Sequence, residues 1–193
     1  RGCLIMKIID GLWDQGFALD KHTVSSTYLG DDDNGNPQFD TKRTDIGEAL
    51  FQLKYRGGWQ YVPALADALA KQIQATLPRF DVIVPMPASA VRPRQPVTEL
   101  ATEVSRILGI RMDGALLQKT ATSQLKDLTN RSDKDAVLAD AFSVRDAGLA
   151  DGPVDVLLID DLIHTGASLD AACAALRTSP RIGRISVAVW TWR

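Results

Sequence analysis

The sequence predicts an α/β protein built on a doubly wound parallel sheet. Three observations carry this expectation. From about residue 45 onward, short β-branched apolar runs alternate with amphipathic helical stretches, the order that builds parallel sheets. One run, Val154 to Ile159, is almost continuously apolar, as a strand covered on both faces must be. The 193 residues, 45% of them hydrophobic, suffice for one domain with a sizeable core.

Taken in order, residues 6–45 are rich in Gly and Asp and show only short apolar runs, so residues 1–45 form a segment apart from the regular core over 46–193. Within them Asp31-Asp32-Asp33-Asn34-Gly35-Asn36-Pro37 reads as a tight turn, because Asn-Gly favours positive φ. It is not a calcium loop: the sixth position is Asn36 where Gly is needed, and the twelfth is Lys42 where a bidentate Glu is needed. Ile46 to Tyr55 predicts a short helix closed by Arg56-Gly57-Gly58. Leu65, Leu69, Ile73 and Leu77 mark one apolar stripe on a helix that ends before Pro78. Asp81 to Val84 is a strand stopped by Pro85, and Val97 to Leu108 a helix ended by Gly109. A short strand falls near Ala115 to Leu117. Residues 118–140 are polar and aperiodic, which suits either a closing lid or a solvated connection. Leu169, Ala172, Cys173 and Leu176 give a last helical stripe, and Ile185 to Trp190 a last strand.

Composition excludes several classes. The net charge is −2 and 24% of residues are charged, which argues against a nucleic-acid-binding surface over the whole molecule. Two cysteines and two histidines cannot supply the roughly four spaced ligands of a structural zinc site, and Cys173 reads as a buried thiol. No apolar stretch approaches the roughly 20 residues needed to span a bilayer, and the opening residues are too short for a signal-peptide core. A cytoplasmic protein is the expectation.

The chemistry concentrates in Val156-Leu157-Leu158-Ile159-Asp160-Asp161-Leu162-Ile163-His164-Thr165-Gly166-Ala167-Ser168. A buried strand ends in two carboxylates, and a small-residue turn then opens a helix. Ligands of open α/β sheets bind at such carboxyl ends. Backbone N–H groups at a helix start are unsatisfied and carry partial positive charge. Gly166 lets the main chain approach an anion, and Thr165 and Ser168 add hydroxyl donors, a combination that cradles a phosphate monoester. Asp160 and Asp161, as ionised acceptors, suit two vicinal ribose hydroxyls and favour a sugar ring that turns cationic in a transition state. The segment is neither a Walker A loop nor a G-x-G-x-x-G fingerprint.

This run resembles the signature of type I phosphoribosyltransferases, which bind 5-phosphoribosyl-1-pyrophosphate (PRPP). The resemblance places the ribose hydroxyls on Asp160 and Asp161 and the 5-phosphate on His164, Thr165, Gly166, Ala167 and Ser168. A wider likeness points to the competence-protein (ComF-like) branch without its zinc module: Leu53-Lys54-Tyr55-Arg56-Gly57, Val84-Pro85-Met86-Pro87, Thr122-Ser123-Gln124 and Ala141-Phe142-Ser143-Val144 are similar to its segments. Residues 6–45 have no counterpart in that branch; the resemblance to the type I fold implies that residues 1–45 form a small hood and that the protein is a homodimer. It also implies that the turn after Val84 meets pyrophosphate, through the amides of Ala88 and Ser89 and the guanidinium groups of Arg92 and Arg94. Lys119 and Lys126 would close over PRPP from a flexible loop, and Lys54 and Arg56 are weaker candidates. His164 occupies a variable position of the signature and is read as a loop residue, not a base. Trp190 and Trp192 suit stacking on an aromatic acceptor, core packing or a dimer contact.

The resemblance implies an enzyme. Mg2+, held mainly by PRPP with no direct protein ligand, would assist transfer of the phosphoribosyl group to a nitrogen acceptor with release of pyrophosphate. The alternative is a non-catalytic PRPP-binding sensor or a ComF-like accessory protein that handles nucleic acid. A phosphoesterase would need a nucleophile or a metal cluster that the sequence does not offer.

Overall fold

The computed structural model describes residues 4–88, 90, 92–120 and 141–193. The main sheet has five strands: β1 (Lys7–Ile8), β2 (Gln15–Lys21), β5 (Val82–Pro85), β8 (Val154–Ile163) and β9 (Ile182–Trp192), in the order β1-β2-β9-β8-β5. The last four run parallel, and β1 adds an antiparallel edge. The N-terminal segment therefore contributes two strands to this sheet. Its remainder is an antiparallel hairpin, β3 (Thr23–Asp31) and β4 (Pro37–Arg43), whose residues are mostly exposed. The turn between them is the Asp-Asn-Gly segment: Gly35 has φ +77°, and the Asp32 carboxylate accepts from the amides of Asn34 and Asn36.

Helices cover both faces of the sheet. α1 (Asp45–Tyr55), α2 (Val62–Thr76) and α3 (Pro96–Leu108) pack on one side, and α4 (Ala167–Leu176) on the other beside a ribbon of β6 (Leu117–Lys119) and β7 (Phe142–Val144). Period-2 alternation in β8 divides its side chains between the two layers. Val156 and Leu158 join the α4 side, and Leu157 and Ile159 the α1–α3 side. All four are fully buried, each stabilising the fold by about 1.5–3 kcal/mol relative to exposure.

The expected stripe of Leu65, Leu69 and Ile73 is buried on α2. That helix stops at Thr76 because Pro78 holds Leu77 extended, at ψ 148°. Pro96 opens α3 and Gly109, at φ +66°, closes it. Thr44 caps α1, its hydroxyl accepting from the Gly47 amide at 3.0 Å. Gly47 lets α1 meet the end of β2: a Cβ there would lie 2.1 Å from the His22 carbonyl oxygen. Trp190 is core, wholly buried with its indole N–H donating to the Leu65 carbonyl at 2.8 Å. Cys173 is wholly buried on α4. Among the described residues no helix is long and apolar enough to cross a membrane.

Candidate functional site

β8 is longer than its apolar run. It continues through Asp160 and Asp161 to Ile163, because β9 pairs with it as far as Trp192 opposite Ile163. The two carboxylates therefore sit within a strand, one ladder step apart, and the alternation sends them to opposite faces. Both nonetheless line one cavity of about 230 Å³ at the carboxyl end of β8 and β5.

Asp161 points to the α1 layer. The Lys54 ammonium of α1 lies 2.6 Å from its Oδ2, an ion pair in which both side chains are largely shielded from water. Among the described residues Asp160 has no such partner. Its Oδ1 accepts from the Asp161 amide at 2.8 Å. Burial, and then the negative charge of Asp161, push its carboxyl well above the usual carboxylate range. The pair is thus asymmetric, with one carboxylate matched to an ammonium and one held in a poor environment for negative charge.

Lys54, Ala88, Arg92 and Lys119 stand around these carboxylates, and Ser168 closes the cavity from the start of α4. Arg92 is anchored by donating from Nη1 to the Lys54 carbonyl at 3.3 Å, on the last turn of α1, with its guanidinium near the Tyr55 ring. Arg94 turns elsewhere: it lies 3.9 Å from the Trp59 ring centroid and is bidentate to Glu99, outside the cavity wall. Lys119 ends β6, opposite Phe142 of β7, and both residues line the cavity. The expected contributors Ser89 and Lys126 lie outside the described residues, as does most of the 118–140 segment.

Beyond β8 the chain runs through exposed His164 and Thr165 to Gly166. Gly166 has φ +82°, a left-handed conformation that a side chain would strain, and it starts α4. Gly166 brings no side chain to this helix start, and Thr165 Oγ1 accepts from the Ala167 amide at 3.4 Å; no described side chain accepts from the amides of Ser168 and Leu169, which keep capacity for an anion. His164, Thr165, Gly166 and Ala167 lie outside the walls of the cavity, with Ser168 the member of the loop that reaches them. The structure thus brings Ala88, Arg92, Lys119, Asp160, Asp161 and Ser168 together. It adds Lys54 as the partner of Asp161, a contact that only tertiary packing reveals, since the sequence separates the two by more than 100 residues.

No protein-family model and no curated protein matches the sequence. Among solved structures the chain is similar to adenine phosphoribosyltransferase from Leishmania donovani, at 13% identity and a TM-score of 0.48, covering 95% of this chain and 73% of that one. It is similar to adenine phosphoribosyltransferase from Trypanosoma brucei in complex with AMP, pyrophosphate and ribose-5-phosphate, at 14% identity, a TM-score of 0.48 and the same coverage. It is also similar to Leishmania donovani UMP synthase, at 15% identity and a TM-score of 0.43 over 83% of this chain, which spans 27% of the length of that protein.

Proposed function

We propose that the protein is a phosphoribosyltransferase that binds PRPP with Mg2+ and transfers the phosphoribosyl group to a nitrogen nucleophile, releasing pyrophosphate. One observation carries the reading: the Asp160–Asp161 pair faces a cationic cavity, directly before a glycine-opened helix whose Ser168 and Leu169 amides have no described side-chain partner. In this reading the carboxylates hold the ribose hydroxyls, the amides and hydroxyls of residues 164–168 take the 5-phosphate, and Arg92 with the Ala88 turn takes pyrophosphate. Lys119 sits at the base of the segment that would close over the ligand. The C1–O bond breaks with its electron pair on pyrophosphate, the N–C1 bond forms, and the nitrogen loses its proton to the medium. The protein's part is positioning and charge stabilisation.

Among the described residues no three His, Cys, Asp or Glu side chains gather into a set able to cage a metal. What the site does offer a hard cation is the Asp160 carboxyl, whose unfavourable surroundings a nearby positive charge would relieve. A magnesium ion carried on the ligand's own oxygens fits this donor set, and it would supply neutralisation of the pyrophosphate charge. The ComF-like branch fits as well, because its Leu53-Lys54-Tyr55-Arg56-Gly57 segment is what delivers Lys54 to Asp161. The hood then corresponds to the β3–β4 hairpin.

A pyrophosphate-release assay with Mg-PRPP across nucleobases, ammonia and glutamine tests the reading. Release with at least one acceptor is expected, lost in a double Asp160→Asn, Asp161→Asn variant. Turnover unchanged in that variant, or binding without release under every acceptor, would refute transfer at this site.

A further inference from the structure

Across the Lys54–Asp161 ion pair lies a second cavity of about 320 Å³, within the range of small-ligand pockets. Phe51 and Tyr55 of α1, His22 and Arg43 at the base of the hairpin, and Leu162 and Arg193 at the ends of β8 and β9 line it. Lys54 and Asp161 border both cavities, so the two share a wall.

Hydrogen-bond logic fixes its polar edge. The Thr191 hydroxyl donates its single proton to the Asp161 carbonyl at 3.0 Å. The same oxygen lies 3.0 Å from His22 Nδ1 and must accept there. His22 therefore carries its proton on Nδ1, and Nε2 keeps a lone pair. The ring is 8% exposed, lines the cavity, and has no described residue bonded to Nε2. Burial, then the charges of Arg193 and Arg43, lower its pKa to about 4, so it stays a neutral acceptor near pH 7.

Arg43 supplies the opposite character. Its guanidinium lies 3.9 Å from the Phe51 ring centroid. Nη1 donates to Glu48 at 3.3 Å, and no described residue accepts from the buried Nε–H or from Nη2. A flat ring entering alongside Phe51 and Tyr55, whose own rings pack together at 5.2 Å between centroids, thus meets one lone pair and the Nη2 donors of the guanidinium. An N–H beside a carbonyl oxygen satisfies both. An amino group beside a ring nitrogen offers the same alternation, but presents the guanidinium with a less negative acceptor.

We propose that this second cavity is the acceptor subsite, and that it takes planar oxo-substituted nitrogen heterocycles, with an N–H beside a carbonyl oxygen, in preference to their amino counterparts. The assignment as acceptor subsite rests on the phosphoribosyl-transfer reading of the neighbouring cavity. Matched rings isolate the preference: hypoxanthine against adenine, and 4-pyrimidinone against 4-aminopyrimidine, each titrated calorimetrically into the unaltered protein, alone and with saturating Mg-PRPP. The oxo member of each pair is expected to bind about tenfold tighter, a difference of about 1.4 kcal/mol. Arg43→Gln is expected to bring the pair to near-equal affinity while Mg-PRPP binding stays unchanged. Equal affinities in the unaltered protein, tighter amino-ring binding, or no ring binding in either condition would overturn the proposal. The ring comparison needs no variant, so it decides even where Arg43→Gln does not fold. Absent Mg-PRPP binding beside an intact ring preference would defeat the transfer reading and leave the ring pocket standing.

Discussion

Asp160 should destabilise the ligand-free protein, and its replacement by Asn measures by how much. The side chain is half-buried in β8, its carboxyl is pushed up to about 8 by burial and by Asp161, and the Lys54 ammonium is paired with Asp161. The folded form holds a proton that the unfolded chain releases near 3.8, so the stability this group contributes is complete below about pH 4 and is lost as pH rises toward about 8. Asn keeps the shape and cannot ionise. Linkage makes each pH unit between those two limits worth about 1.4 kcal/mol. For a chain of 193 residues each kcal/mol moves the melting midpoint by about 2–4 °C. Calorimetric melts of both proteins from pH 4 to pH 8 should show near-coincidence at the acid end and an Asn variant that melts progressively higher toward pH 8. The same variant should lose affinity for Mg-PRPP, since the unfavourable charge is what the ligand answers. A variant equally or less stable than the parent at pH 8 would refute the assignment of strain to this carboxyl.

Asp161→Asn should behave differently. It removes the partner of Lys54, should lower the melting midpoint slightly at pH 7, and should weaken Mg-PRPP binding by about 10- to 100-fold, the loss of a charge-assisted hydrogen bond to a hydroxyl. Gly166→Ala forces a side chain into a left-handed conformation at φ +82°; a cost of about 1–2 kcal/mol in denaturant titration and weaker phosphate binding are expected. Gly47→Ala would drive a Cβ against the His22 carbonyl, and a loss of about 1–3 kcal/mol should be visible by the same titration. Burial raises the Cys173 thiol to about 12, so in a Cys3→Ser background Ellman's reagent should leave the native protein untouched and modify it only on unfolding.

The parts of the fold that the sequence made legible are those whose burial is one-sided or complete. Val154–Ile159 is apolar because both faces are covered, and the stripe on α2 is apolar because one face is. The β3–β4 hairpin escaped such reading because its residues are mostly exposed, so Thr-Val-Ser-Ser-Thr-Tyr-Leu shows no alternation of apolar and polar residues. Its turn was readable from local chemistry alone, through Asp32 and Gly35. β2 offers only Phe17-Ala18-Leu19 as an apolar run, and its place between β1 and β9 depends on partners far along the chain. In the site, Asp160, Asp161, Arg92 and Ser168 were visible as residue types at a strand end. Lys54 against Asp161 and His22 against Thr191 arise from packing between distant segments, and Arg94 shows that a well-placed arginine can be taken by a neighbouring Glu and Trp instead.

In the proposed function, a carboxylate pair before a glycine-opened helix start holds a phosphorylated sugar. Isothermal titration of the folded protein with PRPP and magnesium tests it most directly. A saturable heat with one site per chain is expected, greatly reduced when Asp160 and Asp161 are both Asn. A flat titration from a sample whose melt is cooperative would contradict it.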